Sequence, residues 1–148
     1  MRNIEYIFID SDRKTRAGKS RRHVLPDFGY HFVVNSEGLV IKPTDVSIPV
    51  HLIPGPIYDP DKYNKCSICI RYCGSLLPHA WLIERDVSCA ALMRQRAALL
   101  RLLAELRKRF PDAKILGVSE IDGKELYCKN IMVSDAMNVL RKELSDLH

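Results

Sequence analysis

The spacing of apolar positions changes along the chain, and the change predicts strands first and long helices later. Residues 4–10, IEYIFID, form a short apolar run of the kind that makes a buried strand. Residues 29–34 are rich in aromatic and β-branched side chains. Asn35-Ser36-Glu37-Gly38 then supplies a turn and 39–42 a return strand, so 28–41 predicts a hairpin. Residues 66–73, CSICIRYC, predict a further, central strand. Its alternation puts Cys66, Ile68, Ile70 and Tyr72 on one face and Ser67, Cys69, Arg71 and Cys73 on the other. From Ser88 to about Arg109 the period becomes helical, with Leu92, Leu99, Leu103, Leu106 and Phe110 recurring on one side. Ser88 is the expected N-cap, and Arg107, Lys108 and Arg109 suit the negative end of the helix dipole. After Pro111-Asp112, residues 114–117 predict a short strand. Residues 134–146 predict a last helix capped by Ser134, with Ala136, Met137, Val139, Leu140 and Leu144 on its apolar side.

Between these elements the chain is polar or proline-rich. Residues 11–22 predict an irregular segment, and Pro26-Asp27 a turn. Residues 43–65 hold five of the eight prolines, which argues against regular structure there. A long structured loop of this kind often borders a binding site. The element order implies one α/β domain over 1–148, a mixed sheet of about five strands flanked by helices.

Composition narrows the classes. At 148 residues and 47% hydrophobic content, the chain can bury a core without disulfides or metal staples. No run of about 18 apolar residues exists, so membrane insertion is not expected. The N-terminus reads as a strand and not as a signal peptide, so the chain is expected to be cytoplasmic as synthesised, with its five cysteines reduced. The net charge of +5 is concentrated in residues 13–22, where Arg13, Lys14, Arg16, Lys19, Arg21 and Arg22 occur with no acidic residue. Such a patch attracts nucleic-acid phosphates or an acidic partner, and equally describes a solvated loop. No aromatic residue interrupts it to stack on bases.

Three cysteines within CSICIRYC raise the question of a metal. Zinc needs thiolates converging at about 2.3 Å on one point. A strand separates Cys69 from Cys73 by about 13 Å at ~3.3 Å per residue and turns Cys66 to the other face. The expected role of these cysteines is apolar packing.

Three stretches together resemble the zinc-dependent N-acetylmuramoyl-L-alanine amidases of the phage-lysozyme and peptidoglycan-recognition-protein type. FGYHFVVNSEGLV (28–40) resembles that family's glycine-tyrosine-histidine hairpin. YNKCSICIRYCG (63–74) resembles its asparagine-serine-isoleucine-glycine strand, and 88–117 its long helix and following strand. The resemblance implies a mixed sheet with helices on both faces. It also implies a groove for a peptidoglycan stem peptide and a zinc held by two histidines and a cysteine that hydrolyses an amide.

Carried over position by position, the resemblance places Asp10 where the first histidine stands, Val118 at the second, and Cys128 at the third ligand. Tyr30 matches the catalytic tyrosine. Leu126 replaces a lysine, with Lys124 and Lys129 near it. A further groove histidine falls at Asp59, with His51 able to substitute only if the loop shifts. Asn64 completes the expected groove. His31 is expected on the face opposite Tyr30, in a structural or surface role.

Three functions follow. One is a degenerate amidase that has lost zinc and binds a muropeptide or a protein partner through the groove. Another is an active amidase with a rearranged zinc site of Asp10, Glu120 and Cys128, assisted by Tyr30. The third is a module that binds nucleic acid or an acidic partner through residues 13–22. Phage-type release would bring a protein without a signal peptide to the cell wall.

Overall fold

The computed structural model describes residues 2–11, 13–14, 20–21, 29–52, 60–74, 76, 89–120 and 131–147. The strands are β1 (Tyr6–Ser11), β2 (Arg13–Lys14), β3 (Ser20–Arg21), β4 (Phe32–Val34), β5 (Val40–Ile41), β6 (Ser67–Tyr72) and β7 (Lys114–Gly117). The helices among the described residues are α1 (Pro60–Asn64), α2 (Cys89–Arg109) and α3 (Ile131–Ser145), and a 3-10 turn spans Val118–Glu120.

Five strands make one mixed sheet in the order β5-β4-β6-β1-β7. β1 is parallel to β6 and β7, β4 is parallel to β6, and β5 returns antiparallel to β4. β6, cut from the cysteine-rich stretch with Cys66 and Cys73 just outside it, is therefore the middle strand, as its apolar character implies, and all six of its residues are buried. The hairpin turn closes at Gly38 with φ of 82°, a conformation that favours glycine. A Cβ there would also lie 3.2 Å from the Arg94 carbonyl oxygen, so Gly38 lets the turn rest against α2.

The sheet divides the interior in two. On one face Ile7, Ile9, Phe32, Val34, Ile68 and Ile70 meet Leu99, Leu103 and Leu106 of α2 and Met137 and Leu140 of α3. Both long helices thus cover the same face, and this is the larger core. The other face carries Phe8, Tyr30, Val33, Val50, Leu52 and Cys69. Tyr63 of α1 packs against this second cluster, so among the described residues the helix on that side is a five-residue segment helped by the loop bearing Val50 and Leu52. Helices do lie on both faces, very unequally among the described residues.

Four local expectations change. Residues 11–22 are not wholly irregular, because Arg13 and Lys14 pair antiparallel with Arg21 and Ser20. The proline-rich loop ends in α1, where Pro60 takes the first helical position; its missing N–H would be unpaired there in any case. The last helix begins at Ile131, so Ser134 lies within its first turn and is not the cap. The apolar run Ile131-Met132-Val133 extends the helical pattern back past the serine. Finally, β4 starts only at Phe32, after a bend at His31. Strict alternation from residue 29 is lost, and Tyr30 joins the cluster of Val33. The expected Pro26-Asp27 turn and Ser88 cap lie outside the described residues. No described helix is long and apolar enough to cross a membrane.

Candidate functional site

The parallel strands β1, β6 and β7 end together, and in open α/β sheets the crevice outside such ends is where ligands bind. Asp10 is the next-to-last residue of β1, and its register partner is Arg71, next to last in β6. Arg71 in turn pairs with Val33 of β4. Ile9 pairs with Gly117, so Val118, directly after β7, completes the same row on the far side of Asp10. Val33, Arg71, Asp10 and Val118 thus cross four neighbouring strand positions, spaced about 4.8 Å apart.

Tyr30 closes over this row. Its hydroxyl donates to Asp10 Oδ2 at 2.6 Å, the length of a charge-assisted bond. Arg71 Nη1 stands 4.0 Å from the same oxygen. The Arg71 side chain is 5% exposed and that of Asp10 18% exposed, while Tyr30 is fully buried. A carboxylate at this depth keeps its charge at low cost only with such partners. The result is a small polar centre of Asp10, Tyr30 and Arg71 set in an otherwise apolar surround, to which the part-buried Val118 and Cys73 contribute.

The remaining expected site residues are placed differently. Glu120 accepts the Gly117 amide at 2.9 Å, and both of its oxygens receive Arg141 of α3, at 2.8 and 3.0 Å. Its carboxylate is thus engaged by the last helix. Asn64 is buried at the end of α1, before the start of β6, whereas Arg71 lies near its end. Asp59, Cys128, Lys124, Leu126 and Lys129 lie outside the described residues, as do Arg16, Lys19 and Arg22 of the basic patch. Arg13, Lys14 and Arg21 fall in the β2–β3 hairpin, which starts two residues after Ser11 and so leaves from the same end of the sheet as Asp10.

His31 holds the sheet together. Its backbone N–H donates to the Cys69 carbonyl, and its Nδ1 accepts the Cys69 N–H at 3.0 Å. An accepting Nδ1 requires the neutral Nε2–H tautomer, and that N–H reaches the Ile48 carbonyl at 2.6 Å. Burial lowers the pKa of His31, in keeping with the neutral ring. Arg2 fastens the same corner by donating to the carbonyls of Val46 and Lys65.

The cysteine stretch divides as its alternation implies. Cys69 is fully buried on the Tyr30 face, and burial pushes its thiol up to about 12. The Cys66 thiol donates to the Lys62 carbonyl at 2.8 Å, and desolvation pushes it up to about 11. Neither is poised to be a thiolate ligand. Among the described residues no group of three histidine, cysteine, aspartate or glutamate side chains could hold a metal ion. At the positions matched to zinc ligands, Asp10 already accepts from Tyr30, and Val118 offers no lone pair.

Arg71 was not expected as a site residue. Its signal was in the sequence, since a lone arginine on the inward side of an apolar strand needs a buried acceptor. The partner, Asp10, is 61 residues away and is found only through the register.

No family model matches this chain, and no curated protein matches it. Among solved structures, it is similar to the Ph2119 endolysin from the Thermus scotoductus MAT2119 bacteriophage Ph2119. The alignment covers 90% of this chain and 84% of that one, at 23% identity and a TM-score of 0.47. At that level no residue's role carries across.

Proposed function

We propose that this protein is a divergent homologue of the N-acetylmuramoyl-L-alanine amidases that binds a peptidoglycan fragment at the carboxyl ends of its parallel strands, without zinc-dependent hydrolysis. The reading rests on the sequence resemblance and on one structural observation. Where that family places histidine ligands, this chain has a carboxylate taken up by Tyr30 and Arg71, followed across the sheet by an apolar valine. The rearranged site of Asp10, Glu120 and Cys128 is disfavoured because Glu120 is committed to Arg141. Leaving that pairing would take from a partly exposed guanidinium its only carboxylate partner among the described residues, leaving it the Ile115 carbonyl and the Asn138 side chain.

Without a metal, the centre can still recognise polar groups. Asp10, the more exposed of the pair, accepts hydrogen bonds from amide or hydroxyl groups, and the buried Arg71 beside it supports the carboxylate's charge. Tyr30 fixes the Asp10 carboxylate in advance, which lowers the cost of ordering on binding.

The deciding experiment pairs metal content with binding. The protein is incubated with zinc, dialysed extensively and subjected to elemental analysis, then titrated calorimetrically with a muramoyl-peptide in the presence and absence of chelator. The expected result is no retained zinc and chelator-independent binding that weakens in Asp10→Asn. Near-stoichiometric zinc, together with cleavage of the muramoyl-alanine bond that chelator abolishes, would overturn it.

A further inference from the structure

At the opposite end of the sheet lies a cavity of about 410 Å³ that the candidate site does not use. It opens beside Arg2 and Ile4, ahead of β1, some six residues or about 20 Å along the strand from Asp10 at ~3.3 Å per residue. Its apolar wall is formed by Ile4, Phe32, Val46 and Phe110. Lys42 and Arg109 stand at its rim, both exposed. The volume falls within the range of small-molecule sites, and the lining divides between that apolar wall and a polar side of Arg2, Lys42, Thr44, Asp45, Ser47 and Arg109.

The charge in this cavity is lopsided. Three cationic residues, Arg2, Lys42 and Arg109, line it against one carboxylate, that of Asp45. Asp45 accepts the Ser47 amide at 2.8 Å and the Ser47 hydroxyl, which fix it in place, and its single negative charge leaves the cations in excess. Arg2 donates to backbone carbonyls, which are dipoles and do not cancel its charge. The Arg109 guanidinium lies 5.3 Å from the centroid of the Phe110 ring, so a cation and an aromatic surface already meet at one edge of the cavity. The C-terminus of α2 contributes a partial negative charge here, but Arg107, Lys108 and Arg109 in its last turn outweigh it.

We propose that this cavity is a second binding site, for a small organic anion with an apolar body. The apolar part would lie against Phe32, Val46 and Phe110, and the anionic group would face Lys42 and Arg109. The proposal does not depend on the function of the Asp10 centre.

The probe is 8-anilinonaphthalene-1-sulfonate, an aromatic sulfonate whose fluorescence rises on transfer from water to an apolar site. Its uncharged counterpart is N-phenyl-1-naphthylamine. Wild-type protein should bind the sulfonate at one site and more tightly than the amine. Lys42→Gln and Arg109→Gln should each weaken the sulfonate about threefold and together about tenfold, as expected for exposed charges. Binding of the neutral amine should stay within twofold. Arg101→Gln, eight residues up the same helix and also exposed, should change neither. Failure of the wild-type protein to bind the sulfonate would overturn the proposal, and so would a double variant that keeps wild-type affinity or loses both probes equally.

Discussion

The Tyr30 hydroxyl donates to the Asp10 carboxylate across 2.6 Å, joining the segment before β4 to the end of β1 over the intervening β6. That bond gives a buried tyrosine its partner and a nearly buried carboxylate one of its own. Tyr30→Phe should keep the ring's packing and remove the bond, costing about 1–3 kcal/mol of folding stability by urea denaturation. Under the proposed function it should also weaken muropeptide binding, because the carboxylate loses its fixed orientation.

The Glu120–Arg141 pair ties the turn after β7 to α3 through two charge-assisted bonds. A double-mutant cycle with Glu120→Gln and Arg141→Met should give a coupling energy of about 1–3 kcal/mol, above the usual value for an exposed surface pair. Near-additive effects would show that this pair adds little to the docking of α3, which Arg96–Glu143 and the apolar face also hold.

His31 makes stability depend on pH. Its folded pKa lies below the unfolded value of 6.5, so the unfolded chain binds more protons in the interval between them. The stabilisation is complete above about 6.5 and is lost as pH falls through the folded value. His31→Gln, which can still accept the Cys69 N–H, should be less stable at neutral pH but should lack this part of the decline. The stability difference between the two proteins should therefore narrow from pH 7 to pH 5. A constant difference would show that His31 does not titrate differently on folding.

The Cys66 and Cys69 thiols should be unreactive while the protein is folded. At pH 8, Cys66 with a pKa near 11 in place of 9.0 has about a hundredfold less thiolate than an ordinary thiol, and Cys69 is also shielded. Native-state iodoacetamide treatment followed by peptide mapping should leave both unmodified, and unfolding in urea should expose both. Fast labelling of Cys69 in the native protein would contradict its place in the core.

What the sequence revealed follows the physics of short range. CSICIRYC could be read as the middle strand because its apolar density and two-residue alternation are local properties, and the same holds for the Gly38 hairpin and the leucine stripe of α2. The partners of Arg71 and Glu120 were not legible. Each depends on which strands and helices become neighbours, over 61 residues for Arg71 with Asp10 and 21 for Glu120 with Arg141. Ser134 misled for a related reason. Serine caps helices well, but here the apolar pattern upstream of it continues the helix.

The unequal covering of the two sheet faces bears on how such a protein changes over time. The helices and the polar centre meet opposite sides of the same strands, so replacements on one side leave the packing on the other nearly untouched. Side chains at Asp10 or Val118 can change without disturbing Leu99, Met137 or Leu140 on the other face. The sheet works as a partition, so the side chains of its polar end can vary while the same folded body is inherited.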